Sequence, residues 1–138
     1  MANRIVEYTW RPFPTDHFGL RDYPVAGIFL KNAEGKWKFK QFLVDSAADV
    51  TAINKVAAEE LGIEPIGEAF SINQATKQGI NVYKAKVDIN FNGVILENVN
   101  IVLVINNNLR MPLLGRLDVF DYFDVNLQAR NKKTVLTH

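Results

Sequence analysis

Phe42-Leu43-Val44-Asp45-Ser46-Ala47-Ala48-Asp49-Val50-Thr51 is the stretch on which the reading of this chain turns. An apolar strand, Phe42 to Val44, runs into an acid, a hydroxyl and two small residues. A second acid and the β-branched pair Val50-Thr51 follow. Strand, tight small-residue turn and strand again hold a carboxylate at a bend with little steric cover. An acid directly after an apolar strand is costly to bury unless it is hydrogen-bonded or used. On these residues alone, Asp45 is either a turn acid accepting backbone N–H groups or a reactive carboxylate.

The flanks of this stretch read as β-structure. Upstream, Trp37, Phe39 and Gln41 alternate with Lys36, Lys38 and Lys40, a period of two that marks a half-exposed strand delivering Asp45. Asn32-Ala33-Glu34-Gly35 predicts a hairpin turn joining it to the apolar run Val25 to Leu30. Residues 1–22 carry Pro12, Pro14 and Gly19, which argue against continuous helix. Ile5, Val6, Tyr8, Trp10, Phe13 and Phe18 make this arm too apolar for a disordered tail, so it is expected to pack on the barrel or on a partner subunit.

Downstream, Thr51-Ala52-Ile53 completes a strand, and Asn54 is read as the N-cap of a helix over Lys55 to Leu61 that ends at Gly62. Ile66 to Gln74 reads as a strand, and Ala75-Thr76-Lys77-Gln78-Gly79 as a polar hairpin tip. Tyr83, Ala85, Val87, Ile89 and Phe91 alternate with polar residues up to the turn signal Asn92-Gly93. Val94 to Leu96 and Val99 to Ile105 follow as strands. Pro112 to Leu114 reads as a short strand, and Gly115 to Phe120 as a helical turn or two with Leu117 and Phe120 facing inward. Phe123, Val125 and Leu127 alternate again before Thr134-Val135-Leu136. The expected fold is mostly β: a single closed β-barrel with one or two short helices, comprising an N-terminal arm (1–22), a barrel core (23–130) and a C-terminal tail (131–138).

Composition narrows the function. A chain of 138 residues, 48% apolar and 22% charged, suits one soluble globular domain. Sixteen basic against fifteen acidic residues leave a formal charge of +1, so no strong field favours nucleic acid or an anionic membrane. Without cysteine there is no thiol nucleophile, disulfide or Cys-based metal site, and His17 and His138 lie far apart. The start, Met1 to Glu7, has no apolar run of signal or membrane-span length, so a cytoplasmic location is the expectation. Asp118, Asp121 and Asp124, interleaved with aromatics, are read as a solvated face without a role.

A second element, Met111-Pro112-Leu113-Leu114-Gly115-Arg116-Leu117-Asp118, lies downstream of the first with a β-rich stretch between them. Together the two resemble the retropepsin-like aspartic proteases, whose active-site loop reads Asp-Thr/Ser-Gly-Ala-Asp and whose later element is two aliphatics, Gly and Arg. The resemblance spans roughly Tyr23 to Leu127, and Ala47 departs from it where the family has Gly.

The resemblance implies hydrolysis of peptide bonds by two carboxylates sharing one proton, with no metal or other cofactor. The ionised acid takes a proton from the attacking water while the protonated one polarises the carbonyl. This is the known chemistry of aspartic proteases. One chain has a single such loop, so the implied enzyme is a homodimer with two copies of Asp45 meeting on its axis. Ser46 would support the carboxylate from the opposite loop, with Ala47, Ala48 and Thr51 completing the loop. Asp49 would pair with Arg116, while Leu113, Leu114 and Gly115 would back the loop. Ala75, Thr76, Lys77, Gln78 and Gly79 would form the tip of a flap over peptide substrate. At Ala47 a methyl would crowd the substrate, and would cost about 1–2 kcal/mol of strain if the position needs positive φ, so reduced activity is the expectation. Two rivals stand beside this reading: an inactive peptide-binding or dimerisation module, and a barrel binding single-stranded nucleic acid through Lys36-Trp37-Lys38-Phe39, which the near-neutral charge disfavours.

Overall fold

The alternation from Tyr83 to Phe91 is realised as part of a 13-residue strand, the longest in the computed structural model, which describes residues 4–73, 79–106 and 108–138. The elements in order are β1 (Ile5–Thr9), β2 (Arg11–Thr15), β3 (Gly19–Tyr23), β4 (Val25–Lys31), β5 (Trp37–Val44), β6 (Thr51–Asn54), α1 (Lys55–Leu61), β7 (Ile66–Asn73), β8 (Gly79–Phe91), β9 (Val94–Val104), β10 (Leu113–Leu114), β11 (Asp124–Gln128) and β12 (Lys133–Thr137). Seven of the strands form one sheet in the order β4-β5-β10-β6-β9-β8-β7. This sheet curls until β4 also pairs with β8, at Phe29↔Asn90 and Leu30↔Ile89. The sheet thus meets itself over only two residue pairs, a looser closure than the closed barrel expected from the sequence.

Burial explains why the strands hold this register. Ala85, Val87, Ile89 and Phe91 are buried on one face of β8, against Ile28, Leu30 and Phe42 from β4 and β5 and Ile101 and Leu103 from β9. A fully buried Phe or Ile contributes about 1.5–3 kcal/mol, and a register slip of one residue would turn the whole set outward. The turns follow their predicted chemistry. Asn92 and Gly93 both have positive φ, with the Asn90 Oδ1 accepting the Gly93 N–H at 2.6 Å. Asn32 ties its hairpin to α1, its Oδ1 accepting the Glu34 and Lys36 N–H groups and its Nδ2 donating to the Leu61 carbonyl.

Several expectations are revised. Asn54 precedes α1 but makes no side-chain cap. Its Nδ2 donates to the Leu109 carbonyl (2.8 Å) and its Oδ1 accepts the Leu109 N–H (3.2 Å), so two bonds to a distant loop replace one local bond. The stretch after Gly115 is one wide helical turn, Arg116–Phe120, broken inside: Leu117 has extended ψ and Asp118 a positive φ. This kink leaves Leu117 exposed and buries Val119 in its place, with Phe120 packed at the core's edge.

The arm and tail set apart in the sequence form one sheet, β1-β12-β11, with β12 in the middle. Val6 and Tyr8 of β1 enter the core, and the Trp10 Nε1 donates to the buried Thr134 Oγ1 at 2.8 Å. Burial pushes the Tyr8 phenol pKa upward and keeps it neutral, and its hydroxyl has no hydrogen-bond partner among the described residues. The β2–β3 hairpin stands apart as a two-stranded sheet of its own.

Candidate active site

Asp45 leaves the end of β5 on the strand's outer face. Phe42 and Val44 are buried, whereas Leu43 and Asp45, two residues apart and so on the same side, are half-buried. The Asp45 N–H donates to the Leu114 carbonyl at 3.0 Å, and its own carbonyl accepts the Ala48 N–H at 3.1 Å. Its Oδ1 accepts the Ala47 N–H, also at 3.1 Å. This last bond is the one a turn aspartate makes, and it orients the carboxylate. No side chain among the described residues pairs with Oδ2.

The loop is held by the later element at several points. β10 lies between β5, which it parallels through Leu113↔Leu43 and Leu114↔Val44, and β6, which it opposes through Leu113↔Ala52. Ala48 and Asp49 accept the Arg116 and Leu117 N–H groups through their carbonyls, each at 2.9 Å. Thr51 is fully buried, and its Oγ1 accepts the Gly115 N–H at 3.0 Å. A Cβ on Gly115 would lie 2.4 Å from the carbonyl carbon and oxygen of Val50, so the crossing admits no side chain.

The ion pair expected between Asp49 and Arg116 is absent. The ion pairs among the described residues are Glu34–Lys36, Asp22–Lys132 and Lys55–Glu59. Asp49 and Arg116 are both exposed, where such a pair gains at most about 1 kcal/mol, and their segments are joined through the backbone instead.

Ser46 and Ala47 are both exposed. Among the described residues, positive φ outside glycine is confined to Asn92, Asn98, Asp118 and Lys132, so Ala47 carries none of the strain anticipated for it. Asp118, read from sequence as solvated, is half-buried. Its Oδ2 accepts both the N–H and the Nδ2 of Asn100, at 3.0 and 2.9 Å, which fastens the turn after Gly115 to β9. The only sequence signal for this was the tolerance of Asp for left-handed backbone.

β7 and β8 form the hairpin expected as a flap, with Asn73 opposite an exposed Gly79 and a bulge between Ile66 and Phe70. Ala75, Thr76, Lys77 and Gln78 lie outside the described residues. Ile72 and Ile80 of this hairpin pack with Val82, Ala52, Val102 and Val104 in a small core cluster that also holds Leu109. A cavity of about 440 Å³ opens beside the Asp45 strand and is lined in part by Leu43 and Leu113. No group of three or more His, Cys, Asp or Glu among the described residues is arranged to hold a metal ion. None of the described helices is long and apolar enough to cross a membrane.

The family described as gag-polyprotein putative aspartyl protease matches residues 34–119, which contain both the Asp45 loop and the Leu113-Leu114-Gly115-Arg116 element. The chain is similar in fold to a retropepsin-like aspartic protease from Rickettsia conorii, with a TM-score of 0.57 and 16% identity, over 100% of this chain and 99% of that one. It is also similar to the EIAV protease complexed with the inhibitor HBY-793, with a TM-score of 0.50 and 14% identity, over 68% of this chain and 82% of that one. At such identities the likeness concerns the fold. No curated protein matches the chain significantly.

Proposed function

Because the chain belongs to the gag-polyprotein aspartyl protease family, with a retropepsin-like fold, we propose that it is an aspartic endopeptidase acting as a homodimer. The observation that carries this reading is the carboxylate of Asp45. It is oriented by the Ala47 N–H, has an oxygen without a side-chain partner among the described residues, and stands at the end of a strand whose Leu43 lines a cavity of about 440 Å³.

In the proposed mechanism two chains meet so that their Asp45 carboxylates share one proton. The ionised carboxylate accepts a proton from water as the oxygen attacks the scissile carbonyl carbon, and the protonated one donates to the carbonyl oxygen. Collapse of the tetrahedral intermediate breaks the C–N bond as a proton passes to the leaving amine. Ser46, exposed and adjacent, would bond to the facing loop, and the β7–β8 hairpin would close over the substrate and exclude water. The test is peptide cleavage at mildly acidic pH together with the mass of the cleaving species in solution. The expected result is activity that rises with the dimer population on dilution series. Cleavage by a strict monomer would remove the reading, because one chain supplies one such carboxylate.

The normal backbone at Ala47 separates two effects of its methyl. Ala47→Gly is expected to raise kcat/KM several-fold, on the order of 1 kcal/mol, by making room for the peptide. It is not expected to stabilise the fold: Gly at an unstrained position loosens the unfolded chain and costs about 0.4–1 kcal/mol. Paired measurements of peptide turnover and thermal unfolding check both halves. A variant that cleaves no faster would free Ala47 from any part in limiting turnover. A peptide-binding module without turnover remains the second reading, favoured if Ala47→Gly binds peptide but leaves it intact.

A further inference from the structure

Most of β5 is paired on one side only. β4 runs beside it from Lys31↔Trp37 to Val25↔Leu43, whereas on its other side β10 meets it only at Leu43 and Val44. In an antiparallel pair, alternate residues turn both backbone groups toward the neighbouring strand and the others turn theirs away. The Lys36 carbonyl accepts the Asn32 N–H and the Val44 N–H donates to the Pro24 carbonyl, both toward β4. The Leu43 N–H donates the other way, to the Pro112 carbonyl at 2.8 Å. The same alternation turns the backbone groups of Trp37, Phe39 and Gln41 to the open side, where none has a partner among the described residues. The side chains along this edge sort by charge. Lys38 and Lys40 stand on one face and make no ion pair among the described residues. Trp37 and Phe39 stand on the other, 38% and 55% exposed, with Phe29 of β4 edge to face against Phe39 at 5.5 Å between centroids. Gly27 lets the Phe39 ring lie down on β4, since a Cβ there would come 2.7 Å from it.

We propose that the open edge of β5, from Trp37 to Gln41, binds an extended segment of a partner protein as an added strand, one in which acidic and apolar residues alternate. The incoming backbone supplies the partners that the outward N–H and C=O groups of Trp37, Phe39 and Gln41 lack, in line with the place that β10 takes beside Leu43 and Val44. Side chains of a strand alternate between its faces. The acidic residues of the segment therefore meet Lys38 and Lys40, while its apolar ones cover Trp37 and Phe39. Charge also decides against a second copy of this chain on the same edge, because it would set lysine opposite lysine. The edge stands apart from the Asp45 loop, and the inference does not depend on the proteolytic reading.

The test uses the full chain and a fluorescein-labelled peptide of alternating Glu and Val, with a control of the same composition in which every Glu precedes every Val. Binding is read by anisotropy at low salt, where surface charges are least screened. The alternating peptide is expected to bind about tenfold more tightly than the control or better. Joint replacement Lys38→Glu and Lys40→Glu should weaken it by about tenfold or more, and a peptide alternating Lys and Val should restore binding to that variant. Amide hydrogen exchange tests the backbone half on the wild type, so the outcome does not hang on whether the charge-reversed chain folds. The Trp37 and Phe39 N–H groups are expected to exchange fast in the free chain and about tenfold more slowly or better with peptide bound. Those of Lys38 and Lys40, turned toward β4, should hardly change. Absence of binding, equal binding of the control, indifference to charge reversal, or unaltered exchange at Trp37 and Phe39 would each overturn the proposal. The lysines would then only guard a bare edge.

Discussion

Asp45→Asn is expected to lower kcat/KM for peptide cleavage in the proposed homodimer by on the order of 10³-fold or more, with fold and association retained. Asn keeps the size of the side chain and an oxygen that can still accept the Ala47 N–H, now seen at 3.1 Å, so the turn survives. What disappears is the ability to take up and release a proton, and general acid–base catalysis of this kind is worth about 10²–10⁴. Both copies lose it together. Unchanged turnover in the variant would strip Asp45 of the catalytic assignment and leave it a turn residue.

The second large effect concerns stability. Gly115→Ala is expected to destabilise the fold by about 3 kcal/mol or more, beyond the usual cost of overpacking, because the new methyl would meet backbone instead of a yielding side chain. Its carbon would lie 2.4 Å from the Val50 carbonyl group and 2.9 Å from the Val50 nitrogen. Relief would require β10 to move from β6, breaking the bond from the Gly115 N–H to the Thr51 Oγ1 and leaving a buried hydroxyl unpaired. Urea unfolding of the two proteins measures the difference. A variant as stable as wild type would mean that the crossing is looser than its distances imply.

The parts of the fold legible in the sequence were those with a local cause. Alternation along Tyr83 to Phe91 reflects one buried face, and Asn92-Gly93 supplies the backbone that its turn requires. The strand–turn–strand form around Asp45 was visible in the same way, as an apolar run broken by small residues. Contacts between distant residues left no such trace. Nothing near Leu136 indicates that it will lie opposite Val6, in a strand flanked on both sides, and nothing near Asn54 indicates Leu109. Asp118 looked like its neighbouring acids until its bonds to Asn100 set it apart. Ala47 shows the opposite error: a family's glycine suggested strained backbone, whereas the turn here is built in a conformation that any residue can adopt.

The contact of Gly115 with Val50 also bears on how this protein could evolve or be improved. Because backbone meets backbone there, the Asp45 loop has no slack to be retuned independently of the scaffold. Heat inactivation should therefore coincide with global melting, without a cooler phase of lost function. Selection for new specificity would find its freedom in the side chains around the cleft, with the crossing itself kept as a fixed pivot.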